Sequence, residues 1–239
     1  MNPDTIVEGS SGAISQAIEA LSMGGPVVAI LLLLSVVGLG VVLAKLAQFR
    51  ALRLGDTAPV ERALSAYRRG DLRQALHTLD GRRNPIAQTV AEAIRAERQS
   101  HADRGLLREE TARRAGAHIE NLRSHLRILE VIATLSPLLG LFGTVLGMIN
   151  AFQEMEAAGS QVDPAVLSGG IWEALLTTAV GLAVAIPATA ASNWLDRRVE
   201  RATHAMEDAV TRVYTAEAAT SWDSEDDVAE PALRPQAAQ

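Results

Sequence analysis

Hydrophobic and polar residues in this chain are sorted into blocks. An apolar run extends from about Gly24 to Gln48, with its core at Val27 to Ala44. A second, VIATLSPLLGLFGTVLGMINAF, covers Val131 to Phe152 without one charge. A third covers Ala165 to Leu195 and is interrupted only by Glu173. A bilayer crossing takes about 20 apolar residues at a rise of 1.5 Å each. A helix in water needs one apolar face, whereas these runs are apolar all round. The pattern predicts an all-α integral membrane protein with three transmembrane helices, at 24–48, 130–152 and 165–195. A cleaved signal peptide fits the first run poorly, because nothing before Lys45 is positively charged and no small-x-small cleavage site follows. Lys45 itself is expected to reach for the lipid headgroups.

Between the first two runs the spacing is that of helices in water. Residues 58–80 read as a helical hairpin, in which Gly70 closes the first helix and Asp71 caps the second. Asn84-Pro85 breaks the chain, and Pro85 suits a first helical position. From there Ile86, Val90 and Ile94, then Ile119, Leu122, Leu126 and Ile128, predict one long helix. It would be kinked near Ser100 to Gly105 and run straight into the second span. The chain thus divides into a segment 1–23, the first span, a helical domain 49–129, the second span, a connection 153–164, the third span and a helix 196–220. The acidic, Pro/Ala-rich stretch 221–239 lacks a packing pattern and is expected to be disordered.

Basic residues orient this arrangement. Residues 1–44 and 153–170 contain no Lys or Arg, while Arg50, Arg53, Arg123 and Arg127 flank the first two spans and Arg197, Arg198 and Arg201 follow the third. The positive-inside rule puts the amino terminus and 153–164 outside, and 49–129 and the carboxyl end in the cytoplasm. The formal net charge of −6 averages unlike blocks and says little about partners. With no cysteine, disulfides, thiolate metal sites and cysteine nucleophiles are excluded. His118 and His125 share a helix face, but no third ligand converges on them, so no metal is expected. No phosphate-binding loop, dinucleotide fingerprint or nucleophile elbow is present, which argues against an enzyme and against a cofactor. The basic segment lacks interleaved aromatics and mirrors the topology rule, so no nucleic acid is expected as a partner, and the lipid bilayer surrounds the spans.

Chemistry enters through polar groups where lipid should be. A carboxylate within the bilayer costs at least about 2.5 kcal/mol, so Glu173 must neutralise itself, face water or find a donor. Two readings stay open: a functional group about 13 Å along its helix from Pro164, or an interfacial residue beside Trp172 favoured by the helix dipole. Thr177 lies one turn from Glu173 on the same face, and Thr178 points about 140° away. Together with Thr134 and Thr144 on the second span, these hydroxyls can hold a chain of water along which protons hop. Gly140, Gly143 and Gly147, with Gly181, Ala185 and Ala188 on the third span, permit close helix packing, and Pro137 and Pro187 each remove a backbone hydrogen bond. One acid on three spans cannot enclose a pathway, so a homo-oligomer is implied.

The stretches LSPLLGLFGTVLGMINAF (Leu135 to Phe152) and GIWEALLTTAVGLAVAIPA (Gly170 to Ala188) resemble the signature of the MotA/TolQ/ExbB proton-channel family. Three spans with a long cytoplasmic segment after the first are similar to its ExbB and TolQ branch. The resemblance implies a pentamer around the single-span helices of an ExbD-like or TolR-like partner bearing a membrane aspartate. That complex would energise a TonB-like or TolA-like periplasm-spanning protein with proton-motive force. It also implies that Glu173 matches the family's third-span glutamate and Thr144 and Thr178 its pore threonines. Thr177 departs from the family, where a small apolar residue is common. The expected activity is ExbB-like; a TolQ-like role in envelope integrity and division, and a non-conducting membrane scaffold, are the alternatives.

Overall fold

A computed structural model describes residues 25–98, 104–158 and 164–229. Seven helices occur among them: α1 (Gly25–Leu52), α2 (Ala58–Arg68), α3 (Leu72–Leu79), α4 (Pro85–Glu97), α5 (Arg104–Arg123), α6 (Leu126–Ala158) and α7 (Pro164–Ala229). Three of them, α1, α6 and α7, are long and apolar enough to cross a membrane. The described residues form two compact units. One takes the chain up to Lys45 and His125–Asp196; the other takes Leu46–Ser124 and the chain from Arg197 onward. The expected segment 1–23 lies outside the described residues.

The first unit is built from the spans. Val27, Val28 and Leu31 of α1, Leu129 and Ile132 of α6, and Val184 and Ala185 of α7 are buried within it. Other apolar side chains face outward, among them Leu33 and Val36 on α1, Leu141 and Phe142 on α6, and Leu175 and Ile186 on α7. A helix so clothed suits a hydrocarbon surround. Lys45 does not extend toward headgroups but is 3% exposed, its stem and ammonium covered by protein.

The second unit is held as proteins in water are. Gly70 takes a left-handed φ of 79° to close α2, and the Asp71 carboxylate accepts from the Gln74 amide at 2.9 Å to start α3. Val60, Ala63, Leu64, Ala75 and Leu79 are buried in this hairpin, and Ile86, Val90 and Ile94 on α4. On α7 the buried stripe is Val199, Ala202, Met206, Ala209 and Val213, spaced as in a coiled-coil seam. The Thr89 hydroxyl lies 3.4 Å from the Met206 sulfur, so α7 packs on α4. The Glu61 carboxylate receives both arms of the Arg212 guanidinium, at 2.7 and 2.8 Å. That hydrogen bond holds Glu61 below its ordinary pKa.

Three expectations are corrected. The long helix from Pro85 to the second span does not exist. Instead α4 and α5 pack side by side, with Arg114 on α5 3.5 Å from Glu92 on α4. A single helix would separate these residues by about 33 Å. The chain therefore reverses between α4 and α5, and 99–103 lie outside the described residues. The cause of the reversal is the apolar face of α4, which must be covered. The expected continuity into the second span also fails: α5 ends at Arg123 and His125 adopts a φ of 65°, which a right-handed helix cannot contain. Finally, α7 continues to Ala229, into the stretch expected to be disordered. Residues 221–229 (SWDSEDDVA) continue a helix already nucleated upstream, because adding a residue to an existing helix costs far less than starting one.

Candidate functional site

The second and third spans meet along a seam of small residues. Side chains added to the α6 glycines would strike α7, and the reverse. A Cβ on Gly140 would stand 3.0 Å from the Thr177 carbonyl oxygen, on Gly143 2.6 Å from the Thr177 hydroxyl, and on Gly147 3.1 Å from the Ala174 Cβ. A Cβ on Gly181 would stand 2.7 Å from the Ser136 carbonyl oxygen, and one on Gly170 would collide with the Ala151 Cβ. As residue numbers rise on α6, those opposite fall on α7, so the helices run antiparallel. Sequence reading identified Gly140, Gly143, Gly147 and Gly181 as packing residues. It missed Ser136, Ala151, Gly170 and Ala174, although the recurrence of small residues every three or four positions extends to all of them.

Thr177, expected on the proton pathway, sits inside this seam. It is 2% exposed, its hydroxyl donates to the Ala174 carbonyl at 2.7 Å, and the Gly140 carbonyl oxygen is 3.2 Å away. The absent side chain of Gly143 makes room for it. Thr178 is half-buried at the edge of the seam and donates to the Gly140 carbonyl at 3.2 Å. Thr144, one turn beyond Gly140 and also half-buried, donates to the Leu141 carbonyl at 2.7 Å. In an antiparallel pair, Thr144 and Thr178 fall on the same side of the seam. Thr134 is exposed and donates to the Glu130 carbonyl.

Glu173 lies on the other side. Its Oε1 is 3.4 Å from where a Cβ on Gly25 would be, beside the start of α1. In a single protomer the structure therefore does not gather Glu173 with Thr144 and Thr178. Its neighbour Ala174 opposes Gly147, five residues before the apolar run of α6 ends at Phe152, which sets the carboxyl about 8 Å inside that end. Gly25 has a φ of 59° and no side chain, and both properties allow this approach. Pro137 and Pro187 are contained within α6 and α7, which continue past them.

Each hydroxyl spends its one proton on a backbone carbonyl, so the oxygens of Thr144 and Thr178 have only acceptor capacity left. The remaining lone pairs of Thr144 and Thr178 on one side of the seam, and the Glu173 carboxyl on the other, are acceptor groups that favour a hydrated cation over an anion, and Glu173 is the one acid in the third apolar run, Ala165 to Leu195.

The fold, with three helices long and apolar enough to cross a membrane, is that of a multi-pass membrane protein. The sequence profile of the MotA/TolQ/ExbB proton channel family matches residues 81–208, more than half of the chain, and the chain belongs to that family. It is 42% identical over 87 residues to the Biopolymer transport protein exbB1 of Vibrio cholerae, a match covering 35% of this chain and 38% of that relative. It is 44% identical over 81 residues to the Tol-Pal system protein TolQ of Haemophilus influenzae, covering 34% and 35%. A putative biopolymer transport protein ExbB homolog of Methanothermobacter thermautotrophicus is 25% identical over 206 residues, covering 86% of this chain and 69% of the relative. The bacterial matches thus span little more than a third of each relative's length. The family is one of membrane channel subunits, not of enzymes.

Proposed function

We propose that this chain is the ExbB-like subunit of an inner-membrane motor that couples proton-motive force to TonB-dependent transport. In this reading it assembles as a pentamer with its amino terminus in the periplasm and its second unit in the cytoplasm. The single-span helices of an ExbD-like or TolR-like partner occupy the middle and carry the aspartate that accepts the proton. The observation that carries the reading is Glu173, an acid held inside the apolar stretch of α7 against the glycine start of α1.

Glu173 and the threonines then act at different stations. Thr144 and Thr178 offer lone pairs to water, so a file of water beside them conducts protons and disfavours anions. Glu173, on the opposite side of α7, sets the local field and the water content near the partner's aspartate. Alternate neutralisation of that aspartate turns or shifts the partner helices, and the movement is passed to a TonB-like periplasm-spanning protein. Thr177, committed to the seam, keeps α6 and α7 in register.

The test is Glu173→Gln in cells that also express the single-span partner, with internal pH and energised uptake recorded. Uptake falls to background while the complex still co-purifies. Wild-type uptake in that variant defeats the mechanism and returns Glu173 to an interfacial role. A scaffold that conducts nothing would also tolerate apolar replacements of Thr144 and Thr178.

A TolQ-like role in envelope integrity is favoured by one observation. The 44% identity to TolQ of Haemophilus influenzae is close to the 42% identity to exbB1 of Vibrio cholerae. Co-purification of a TolA-like rather than a TonB-like protein decides for it.

A further inference from the structure

Where α1 ends, the second unit carries a cavity of about 570 Å³ that the channel chemistry does not use. Its polar lining is Arg53, Asp56, Asp80, Arg82, Arg83 and Asn84. The cavity is a built feature. Asn84 is buried at 6% exposure; its amide donates to the carbonyls of Arg53 (3.0 Å) and Asp56 (3.1 Å), and its oxygen accepts from the Ile86 amide at 2.9 Å. This one side chain ties the end of α1 to the start of α4. It also holds Arg53 at a φ of 50°, a conformation that costs an L residue about 1 kcal/mol and that glycine adopts freely. An arginine placed there at that cost projects a guanidinium from a fixed backbone.

None of the three guanidinium groups forms an ion pair among the described residues, although two carboxylates line the same cavity. Three arginines and two aspartates leave a single net positive charge. Planar guanidinium forks match phosphate oxygens. The charge balance suits a phosphodiester, which carries one negative charge; a nucleotide polyphosphate would press several charges against Asp56 and Asp80. Ala51 and Leu52 complete one wall. Leu52 lies on the same helix as the first apolar run, about 6 Å past its end at Gln48, which is headgroup distance.

We propose that this cavity binds the phosphate of an anionic phospholipid headgroup at the end of the first span. The site is separate from the proton pathway, and its failure would leave the proposed channel function untouched.

Purified full-length protein in detergent, titrated with phosphatidylglycerol or phosphatidylcholine and read by native mass spectrometry, tests it. Phosphatidylglycerol is retained in preference to phosphatidylcholine. Arg82→Gln and Arg83→Gln each weaken that retention about fivefold, the value of one basic residue at an anionic surface. Asp56→Asn with Asp80→Asn strengthens it, an opposite sign that loss of folding cannot produce. Equal retention of the two lipids, or the same discrimination in the arginine and aspartate variants as in wild type, overturns the proposal. Displacement of phosphatidylglycerol by millimolar inorganic phosphate overturns the lipid as occupant and assigns the cavity to a free anion.

Discussion

In the unit that carries the spans, α6 and α7 touch through Gly140, Gly143, Gly147, Gly170 and Gly181, which lie against the backbone or the small side chains of the facing helix. In the other unit, α4 and α7 bury conventional apolar stripes, and Glu61, Glu92 and Glu110 pair with arginines at the margins. The difference follows from solvent. Water drives leucine and isoleucine together whatever their fine shape, whereas lipid tails are as apolar as the side chains they surround. Adhesion between spans must therefore come from close fit, and close fit leaves no room for even one methyl group.

The largest effect should come from breaking that fit. Gly170→Ala puts a methyl group into the rigid Ala151 Cβ, and overpacking of this kind costs about 1–3 kcal/mol or more. Unfolding in detergent is expected at clearly lower temperature or denaturant. Adding Ala151→Gly removes the obstacle and restores most of the loss, whereas a destabilisation that persists in the double variant would mean the seam is looser than described. Gly181→Ala, aimed at the Ser136 carbonyl 2.7 Å away, has no such rescue.

Next in size is Asn84→Ala in the second unit, which strands two carbonyls and one amide that it now satisfies. A loss of about 1–3 kcal/mol is expected, visible as faster amide exchange at 53–58 and 84–88. Unchanged exchange would show that this unit does not depend on its buried polar side chain.

The Glu61–Arg212 pair comes third. Its carboxylate side chain is 55% exposed, so solvent screening leaves about 0.5 kcal/mol, and a double-mutant cycle should find it only at low salt. The smallest effect is titration of Glu110, lowered to about 2 from 4.5 chiefly by hydrogen bonds from Arg113 and Arg114. A lowered carboxylate stabilises the fold above its ordinary pKa and loses that contribution as the pH falls toward 2. Helicity of α5 should therefore decline between about pH 4.5 and pH 2 and be flat above pH 5. The span seam, held without charge, should show no matching step.

Features set by neighbouring residues were legible in the sequence. The three spans, the Gly70 turn and the Asp71 cap each need only a few adjacent positions. The reversal between α4 and α5 was not legible, because apolar spacing continues on both sides of it and only the distant packing of Ile86, Val90 and Ile94 demands a cover. The seating of Thr177 was not legible for a similar reason. A hydroxyl one turn from Glu173 looks the same whether it meets water or a glycine notch, and the notch is Gly143, on another helix. The approach of Glu173 to Gly25 likewise joins two ends of the chain that no local pattern relates.

The Gly140–Thr177 contact has an electrical consequence. With helix backbones pressed together and the Thr177 hydroxyl filling the Gly143 notch, no water file fits between α6 and α7. On the function proposed above, that seam is insulation: current runs over another face of the helix pair, and a methyl group forced into the seam would open a leak as well as loosen the fold.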